Sequence, residues 1–537
     1  MKKKVLKNRE SKSATPQEPS TFSDFLEEGS IAEESGDRWL GSDIAKALRF
    51  YQKAYDAYTK SIELNWSAEN ADAYYNASRM LLQVYLLHKS SDGLALEDLT
   101  NIDEIYGPNS ILQTLNQILD KHLKALEICG RHLDLLYNTA TVYVEILESD
   151  VTKEDNVPID QLMLIYKSGE QILSELLPQQ VNALETFVRD LANSTTETNA
   201  VSSSARSPNM EHQHESEHEH EQEEFESDEV TQPVDVFETV LLSYRLIQAT
   251  YENLSESGRE VAITNTTVEP FVVSLDKIVN ELLLKYSENS ISKNEMLQNI
   301  TPAQVNELKI AKNSIISLQI SDAFEVINIW EKFFNNEVLD EIPEKYLSCV
   351  DTVQTVLERN DITLNTVNSS TSDWDKEGFW KLISQQNSLL KKAQGLTQDD
   401  LNAKKKLPSG VEQGIGSTII QLCDIMIARA DLNLQMSMMK DYELSMKNQA
   451  ALLQNSRILL KSSMNIANTS GGLRERAIEK LDREKKLSEA VFRLCLLEGK
   501  TSLEELDQIM TRPRWLREYK ETKRIDIYNE YLKRIPI

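Results

Sequence analysis

Residues 44–64 read IAKALRFYQKAYDAYTKSIEL, and this stretch decides the fold class. Its small, aliphatic and aromatic residues recur at steps of three and four: Ala47, Leu48, Tyr51, Ala54, Tyr55 and Tyr58. This period places them on one face of an amphipathic helix. The same period recurs along nearly the whole chain, with few competing strand-like alternations. The sequence therefore predicts an all-α fold.

Capping signals predict where several other helices begin and end. Ser23-Asp24 is an N-cap pair for a helix over Phe25–Glu34. Thr301-Pro302-Ala303-Gln304 combines an N-cap, a proline at the first helical position and a glutamine three residues after the cap. Pro178 is expected to end a helix over Leu162–Leu177. The remaining predicted helices cover residues 44–64, 71–88, 111–129, 133–147, 181–192, 236–251, 271–286, 323–335, 344–358, 376–394, 413–440, 443–468, 473–498, 502–510 and 514–533.

Three segments place small and aromatic residues at spacings that suit closely packed helix pairs. The first has small residues in one helix and an A-x3-Y-x2-A pattern in the next: Gly29, Ala32, Gly36, Ala47, Tyr51 and Ala54. The second and third share a Tyr-Asn-x-small core, whose predicted packing residues are Tyr75 and Ala77, and Tyr137 and Ala140. Ile118, His122 and Ala125 suit the partner helix of the second segment. Small residues let two helices approach closely where they cross, and the aromatic ring fills the adjacent gap.

These residues resemble the tetratricopeptide-repeat family in its divergent, insertion-rich form, over residues 23–178 and 410–510. The resemblance implies stacked antiparallel helix pairs, forming a right-handed α-α superhelix whose concave groove binds an extended peptide or a helix. The two Tyr-Asn cores lie 62 residues apart instead of about 34, so the connection around Lys89–Pro108 is expected to loop out. A non-repetitive α-α superhelix is the alternative.

Composition excludes several protein classes. With 16 glycines and 13 prolines in 537 residues, turn-forming residues are too few for a many-turned sheet protein or a glycine-cradled nucleotide fold. Four cysteines, far apart in the chain, fit neither a disulfide framework nor a CxxC metal site. No apolar run approaches about 18 residues, and no apolar segment follows the basic start MKKKVLKNRESKS. We therefore expect no membrane span and no secretory signal, and a cytoplasmic or nuclear location.

The N-terminal lysines resemble a basic import sequence, with a plain exposed tail as the alternative.

The charge distribution indicates the kind of partner. The net charge is −28, although the first 12 residues and the last 26 are basic. The part of the chain between these two basic ends is therefore strongly acidic. We expect it to repel nucleic acid and anionic membranes and to attract a Lys/Arg-rich polypeptide. Acidity that serves only solubility is the alternative.

Residues 194–233 interrupt the helical pattern. Between Asn209 and Glu229 there are ten acids, four histidines (His212, His214, His218 and His220) and no lysine or arginine. This composition predicts a disordered acidic loop. An acidic arm for basic partners, a passive spacer and a metal-binding tract are its three interpretations; no metal role is assigned.

No catalytic or cofactor motif is present. Gly414-Ile415-Gly416-Ser417-Thr418 is the nearest approach to a phosphate cradle, but it lacks a following lysine and a preceding strand, which favours a helix-start linker. His88, His122 and His132 stand singly, and a lone histidine usually packs within the fold. The sequence therefore predicts a non-enzyme with no cofactor.

Two further clusters have two interpretations each. Met436, Met438, Met439, Met446 and Met464 suit the core better than a promiscuous groove. The basic C-terminal segment from Arg512 carries Trp515, Tyr519, Tyr528 and Tyr531, which suits a capping helix better than a nucleic-acid surface.

The predicted organisation is a basic tail (1–22), a repeat-like helical region (23–193), the acidic insert (194–233), a middle helical region (234–395), a linker (396–412) and C-terminal helical repeats with a basic cap (413–537). We expect a non-enzymatic protein-binding α-solenoid, acting as an adaptor or assembly chaperone for a basic polypeptide. The alternative is a stoichiometric subunit of a larger nuclear or cytoplasmic complex, which would show apolar outer helix faces.

Overall fold

The computed structural model describes residues 18–89, 96, 99–149, 157–201, 230–288, 297–336, 340–370, 372–408, 410–411 and 413–536. Over these residues the regular structure is helical, apart from one isolated β-bridge between Ser287 and Ile300. The all-α prediction is confirmed. No helix in these ranges combines the length and hydrophobicity needed to cross a membrane.

The chain forms two compact units, Met1–Leu135 and Leu136–Ile537. The first contains helices α1 (Phe22–Leu40), α2 (Ile44–Leu64), α3 (Ala71–Lys89) and α4 (Leu115–Cys129). Helix α5 (Leu133–Glu148) begins at its end. Within this unit α1 packs on α2, α2 on α3 and α3 on α4, and the contact between α1 and α2 is the most extensive.

The second unit contains the rest of α5 and the helices that follow it. They are α6 (Ile159–Val201), α7 (Pro233–Glu252), α8 (Arg259–Glu281), α9 (Pro302–Leu318), α10 (Ala323–Asn336), α11 (Pro343–Arg359), α12 (Leu364–Ser369), α13 (Asp373–Lys404), α14 (Ile415–Ser437), α15 (Glu443–Ala467), α16 (Ala477–Glu498), α17 (Leu503–Ile509), α18 (Arg512–Thr522) and α19 (Asn529–Leu532). Most pack on the next helix or the next but one. This order is the one expected of helix pairs, and the superhelical path stays a prediction.

Helix α1 begins earlier and ends later than predicted. Its N-cap is Thr21, whose hydroxyl accepts from the Asp24 backbone N–H at 3.2 Å, while the Asp24 carboxylate accepts from the Thr21 N–H at 2.9 Å. This reciprocal capping box places Asp24 at the third helical position, so Ser23-Asp24 is not the cap. The capping box predicted at Thr301 and Gln304 is confirmed.

Pro178 does not end a helix. Helix α6 continues through it to Val201, so residues 194–201 are helical where a loop was predicted. Thr231 and Pro233, at the other end of the predicted insert, are buried in the second unit. Residues 202–229, which hold the His-rich tract, lie outside the described residues, as do residues 1–17 of the predicted basic tail.

Two other predicted boundaries are also wrong. Helix α13 extends to Lys404, into the predicted linker 396–412. The exposed Gly395 does not interrupt the helix, and the first proline that follows it is Pro408. The helix predicted over 514–533 is two α-helices, α18 and α19, separated by a short 3-10 segment at Asp526–Tyr528.

Replacing Pro178 by alanine should stabilise the second unit. Pro178 is exposed and supplies no N–H to the carbonyl of Ser174, so alanine restores a helical hydrogen bond with little loss of packing. We expect Pro178→Ala to raise the free energy of unfolding by about 1–3 kcal/mol in urea denaturation. Pro302→Ala is the control, because Pro302 stands at the first turn of α9, where no N–H is required. A gain at Pro302 equal to that at Pro178 would contradict this explanation.

Candidate protein-interaction surface

Two glycines of α1 lie directly against two tyrosines of α2. A Cβ atom at Gly29 would stand 2.4 Å from Cε1 of Tyr58, and one at Gly36 would stand 2.5 Å from Cε1 of Tyr51. Both pairs are seven residues, or two turns, apart, so the antiparallel helices meet twice on the same faces. The glycines are required because any side chain would push the helices apart.

The other predicted packing residues differ in their burial. Ala47 and Ala54 on α2 are completely buried, and Ala77 and Ala140 are buried on α3 and α5. Ala32, Tyr75 and Tyr137 are only half-buried.

A buried ion pair joins α1 to α3, and no local sequence pattern predicts it. Glu33 of α1 accepts from the Arg79 guanidinium of α3 at 2.6 Å and from the Tyr58 hydroxyl at 2.9 Å. Glu33 and Arg79 are 5% and 7% exposed. Burial and the neighbouring Glu33 carboxylate raise the pKa of Tyr51 to about 12, so its hydroxyl stays protonated and donates to Asp37 at 2.7 Å. The cluster joins three helices through hydrogen bonds and the ion pair.

The cysteines do not have the properties of nucleophiles. Burial raises the pKa of Cys129, Cys423 and Cys495 to about 11, and it raises that of Cys349 as well. These thiols therefore stay protonated at neutral pH, whereas a nucleophilic cysteine needs a lowered pKa.

His122 is a core histidine. It is fully buried on α4, and its Nδ1 lies 2.8 Å from the Ile118 carbonyl oxygen, which fixes Nδ1–H as the donor. Its Nε2 has no hydrogen-bond partner among the described residues. In those residues no group of three or more histidine, cysteine, aspartate or glutamate side chains is placed to hold a metal ion.

The glycine-rich segment before α14 is a helix start surrounded by acids. Gly414 is the N-cap, with φ of +69°, and the Lys404 ammonium approaches Thr418 Oγ1 at 2.7 Å. Asp400 pairs with that lysine at 2.7 Å, and Glu479 contacts the position of Gly416. The carboxylates of Asp400 and Glu479 therefore surround the position at which a phosphate would have to bind.

The methionines of the C-terminal part divide between core and surface. Met436 and Met439 are buried, and Met438 and Met464 pack against the same core. Met446 is 61% exposed, so the core interpretation fails for this residue.

The aromatic side chains of the C-terminal segment face inward. Trp515 and Tyr528 are buried in the core formed with α14, α15 and α16. Trp515 donates to Asp507 at 2.8 Å, and Tyr528 donates to Asp431 at 2.6 Å. These two rings are therefore not available for stacking on bases.

A stripe of exposed residues without acids runs along α15. Its members follow one another at alternating steps of three and four, and all are exposed: Leu444, Lys447, Ala451, Gln454, Ile458, Lys461 and Asn465. Leu444 and Ile458 are 42% and 50% exposed. From Leu444 through Arg474 the sequence contains no aspartate or glutamate. We name these seven residues the α15 stripe. The sequence alone could have revealed it through its spacing and its lack of acids.

A group of basic side chains lies around Tyr531, near one face of α15. The Arg534 guanidinium lies 5.1 Å from the Tyr531 ring centroid, and Arg457 donates to the Leu497 carbonyl at 3.0 Å. Burial raises the pKa of Tyr531, and nearby Arg534 and Arg457 oppose that shift. The pKa of Glu530 is lowered mainly by its hydrogen bond from Lys533, at 2.6 Å, with further contributions from Lys440 and Arg534. We name Lys440, Arg457, Lys533 and Arg534 the Tyr531 patch.

Comparison with known proteins places the α15 stripe inside a family match, whereas Tyr531, Lys533 and Arg534 lie beyond it. Residues 340–521 match the model of a family described as the YNL193W C-terminal domain. The chain is 25% identical over 519 residues to "Uncharacterized protein YNL193W" of Saccharomyces cerevisiae, covering 89% of this chain and 90% of that protein. It is 31% identical over 153 residues to "UPF0656 protein C926.02" of Schizosaccharomyces pombe, covering 28% and 30%. No solved structure matches the chain. The tetratricopeptide resemblance therefore stays a prediction.

Adding a methyl group at Gly29 should destabilise the first unit. Gly29→Ala places its Cβ 2.4 Å from Cε1 of the Tyr58 ring, so the ring or the helix must shift. We expect a loss of about 1–3 kcal/mol in the free energy of unfolding, measured by urea denaturation. Gly395→Ala, at an exposed position of α13 where a Cβ meets nothing within 4 Å, should be neutral or stabilising by up to about 1 kcal/mol. Equal effects at the two positions would refute the close contact.

His122 should make stability depend on pH. Burial lowers its pKa from 6.5 to about 4. Between these values the unfolded chain binds more protons than the folded protein, so its contribution is complete above about pH 6.5 and is lost as the pH falls toward 4. The full loss is about 3 kcal/mol. Urea midpoints measured from pH 7.5 to 4.5 should fall less steeply for His122→Leu than for wild type. His132→Leu, at an exposed position, should follow wild type; identical slopes in all three proteins would exclude this role.

Proposed function

We propose that the protein is a non-enzymatic helical scaffold, a stoichiometric subunit that binds a partner polypeptide along the α15 stripe. The observation that carries the proposal is the stripe itself: seven exposed residues at heptad spacing, with two exposed aliphatic side chains and no acid. An outer helix face of this kind is what a subunit of a larger assembly is expected to present.

The alternation of three and four residues supports a helical partner. Two helices that pack along their length meet through residues repeating on average every 3.5 positions. From Leu444 to Asn465 the stripe is about 33 Å long, enough for a partner helix of six turns. Leu444, Ala451 and Ile458 would supply the apolar part of the contact.

The assembly-chaperone role for a basic partner is the second candidate, and the net charge of −28 favours it. The two roles differ in their response to salt. A client held by charge dissociates at moderate ionic strength, because salt screens exposed charges. A partner held by the apolar residues of the stripe stays bound.

The deciding experiment compares proteins that co-purify with tagged full-length variants. Ile458→Glu places a charge in the middle of the stripe and should reduce the main partner at least tenfold, equivalent to about 1.4 kcal/mol of binding free energy. Leu164→Glu is the matched control, because Leu164 is exposed on α6 and lies outside the stripe. It should retain the partner, and circular dichroism should show unchanged melting for both variants.

Washing the bound complexes with increasing salt separates the two candidate functions. Retention of the wild-type partner at about 0.5 M salt, together with its loss from Ile458→Glu, supports the subunit role. A basic partner that leaves all variants alike at moderate salt contradicts it and favours the chaperone role.

A further inference from the structure

We propose that the element bound by the α15 stripe is an acidic amphipathic helix, whose carboxylates meet Lys447, Lys461 and the Tyr531 patch. This inference rests on the proposed function and specifies the chemistry of the partner.

Two lysines give the α15 stripe a positive charge. Lys447 and Lys461 stand 14 residues apart, two heptads, and therefore face the same side of α15. Lys447 has no ion-pair partner among the described residues, whereas Lys461 pairs with Glu498 at 2.9 Å while remaining half-exposed. Glu498 already neutralises Lys461, and no acid occurs on α15 after Glu443, so a docked helix that neutralises Lys447 would do so with an acid of its own.

The Tyr531 patch extends the positive surface beside the stripe. Arg457 directly precedes Ile458, so the patch and the apolar part of the stripe are adjacent on the same helix. Lys440 and Arg534 are exposed, and the one acid among these side chains, Glu530, is already paired with Lys533. Two exposed basic side chains, Lys440 and Arg534, thus lie beside the stripe with Glu530 as a neighbour that they share with Lys533, in a protein whose acids outnumber its basic residues by 86 to 58.

The same observations disfavour two other occupants. Nucleic acid would gain nothing from Leu444 and Ile458, and Trp515 and Tyr528 are buried and cannot stack on its bases. A second copy would place lysine against lysine: a parallel pair sets each lysine opposite itself, and an antiparallel pair sets Lys447 opposite Lys461.

The test measures binding of a fluorescein-labelled 21-residue peptide to the full chain by fluorescence anisotropy. The peptide contains three copies of Glu-Ile-Ala-Ala-Leu-Glu-Glu, and its counterpart carries lysine in place of every glutamate. We expect the glutamate peptide to bind at least tenfold more tightly than the lysine peptide, with an affinity that falls as salt is added. The double variant Lys447→Glu/Arg534→Glu should raise its Kd at least tenfold.

The control is Lys53→Glu/Lys60→Glu, which makes the same change of charge at two exposed positions of α2 in the other unit. It should leave the Kd within twofold of wild type. A lysine peptide that binds as well as the glutamate peptide, or a double variant no weaker than the control, overturns the proposal. So does a 20-nucleotide polyuridine that competes for the same residues, or a concentration-dependent dimer that Ile458→Glu abolishes.

This test can fail while the proposed function stands. If Ile458→Glu loses its cellular partner but the charge variants bind the glutamate peptide no differently from wild type, then the stripe binds a partner that is not acidic. If Ile458→Glu keeps every partner, the proposed function itself is wrong.

Discussion

In each unit a buried arginine pairs with an acid of another helix, which constrains how the helices of that core can pack. In the first unit, Arg79 of α3 meets Glu33 of α1. In the second, Arg493 of α16 pairs with Asp431 of α14 and Glu489, while Tyr528 also donates to Asp431. Removing one partner of such a pair costs about 3–5 kcal/mol, because the other charge is left buried and uncompensated. Arginine suits these positions because its guanidinium stays charged and has five N–H donors in a fixed plane.

The ion pairs inside the cores do not reduce the acidity of the surface. The chain has 58 lysines and arginines for 86 aspartates and glutamates, and each basic group enclosed with a single acid removes opposite charges in equal number, so the net negative charge stays on the exterior. Against that background the α15 stripe differs from its surroundings in charge as well as shape. A run from Leu444 through Arg474 without an acid keeps a helix face free of the repulsion that the rest of the surface would exert on an acidic partner.

The sequence predicted elements better than boundaries, and packing better than charge pairing. Helix α2 agrees with its prediction at both ends, because amphipathic periodicity and an Asp43 cap are local signals. The predicted helix end at Pro178 is wrong, because the side chain of this proline is exposed and the helix tolerates the missing hydrogen bond. The approach of Gly36 to Tyr51 follows from residue size and spacing. The pairing of Glu33 with Arg79, 46 residues away, has no local signal, since any of the many acids could have met that arginine.

The charge of the whole protein and the charge of the stripe act over different distances. At physiological salt the Debye length is about 8 Å, so the repulsion that distant acids exert at the α15 stripe is largely screened. A docked helix would respond mainly to the side chains within that distance, which along α15 from Leu444 onward are mostly lysines, amides and aliphatic groups, with Glu443 at the start of the helix and Glu498 beside Lys461. The acidic exterior would still disfavour the binding of polyanions, whose charge extends well beyond the α15 stripe. A short acidic helix fits both conditions: its carboxylates reach the lysines, and its limited length keeps it away from most of the surrounding acids.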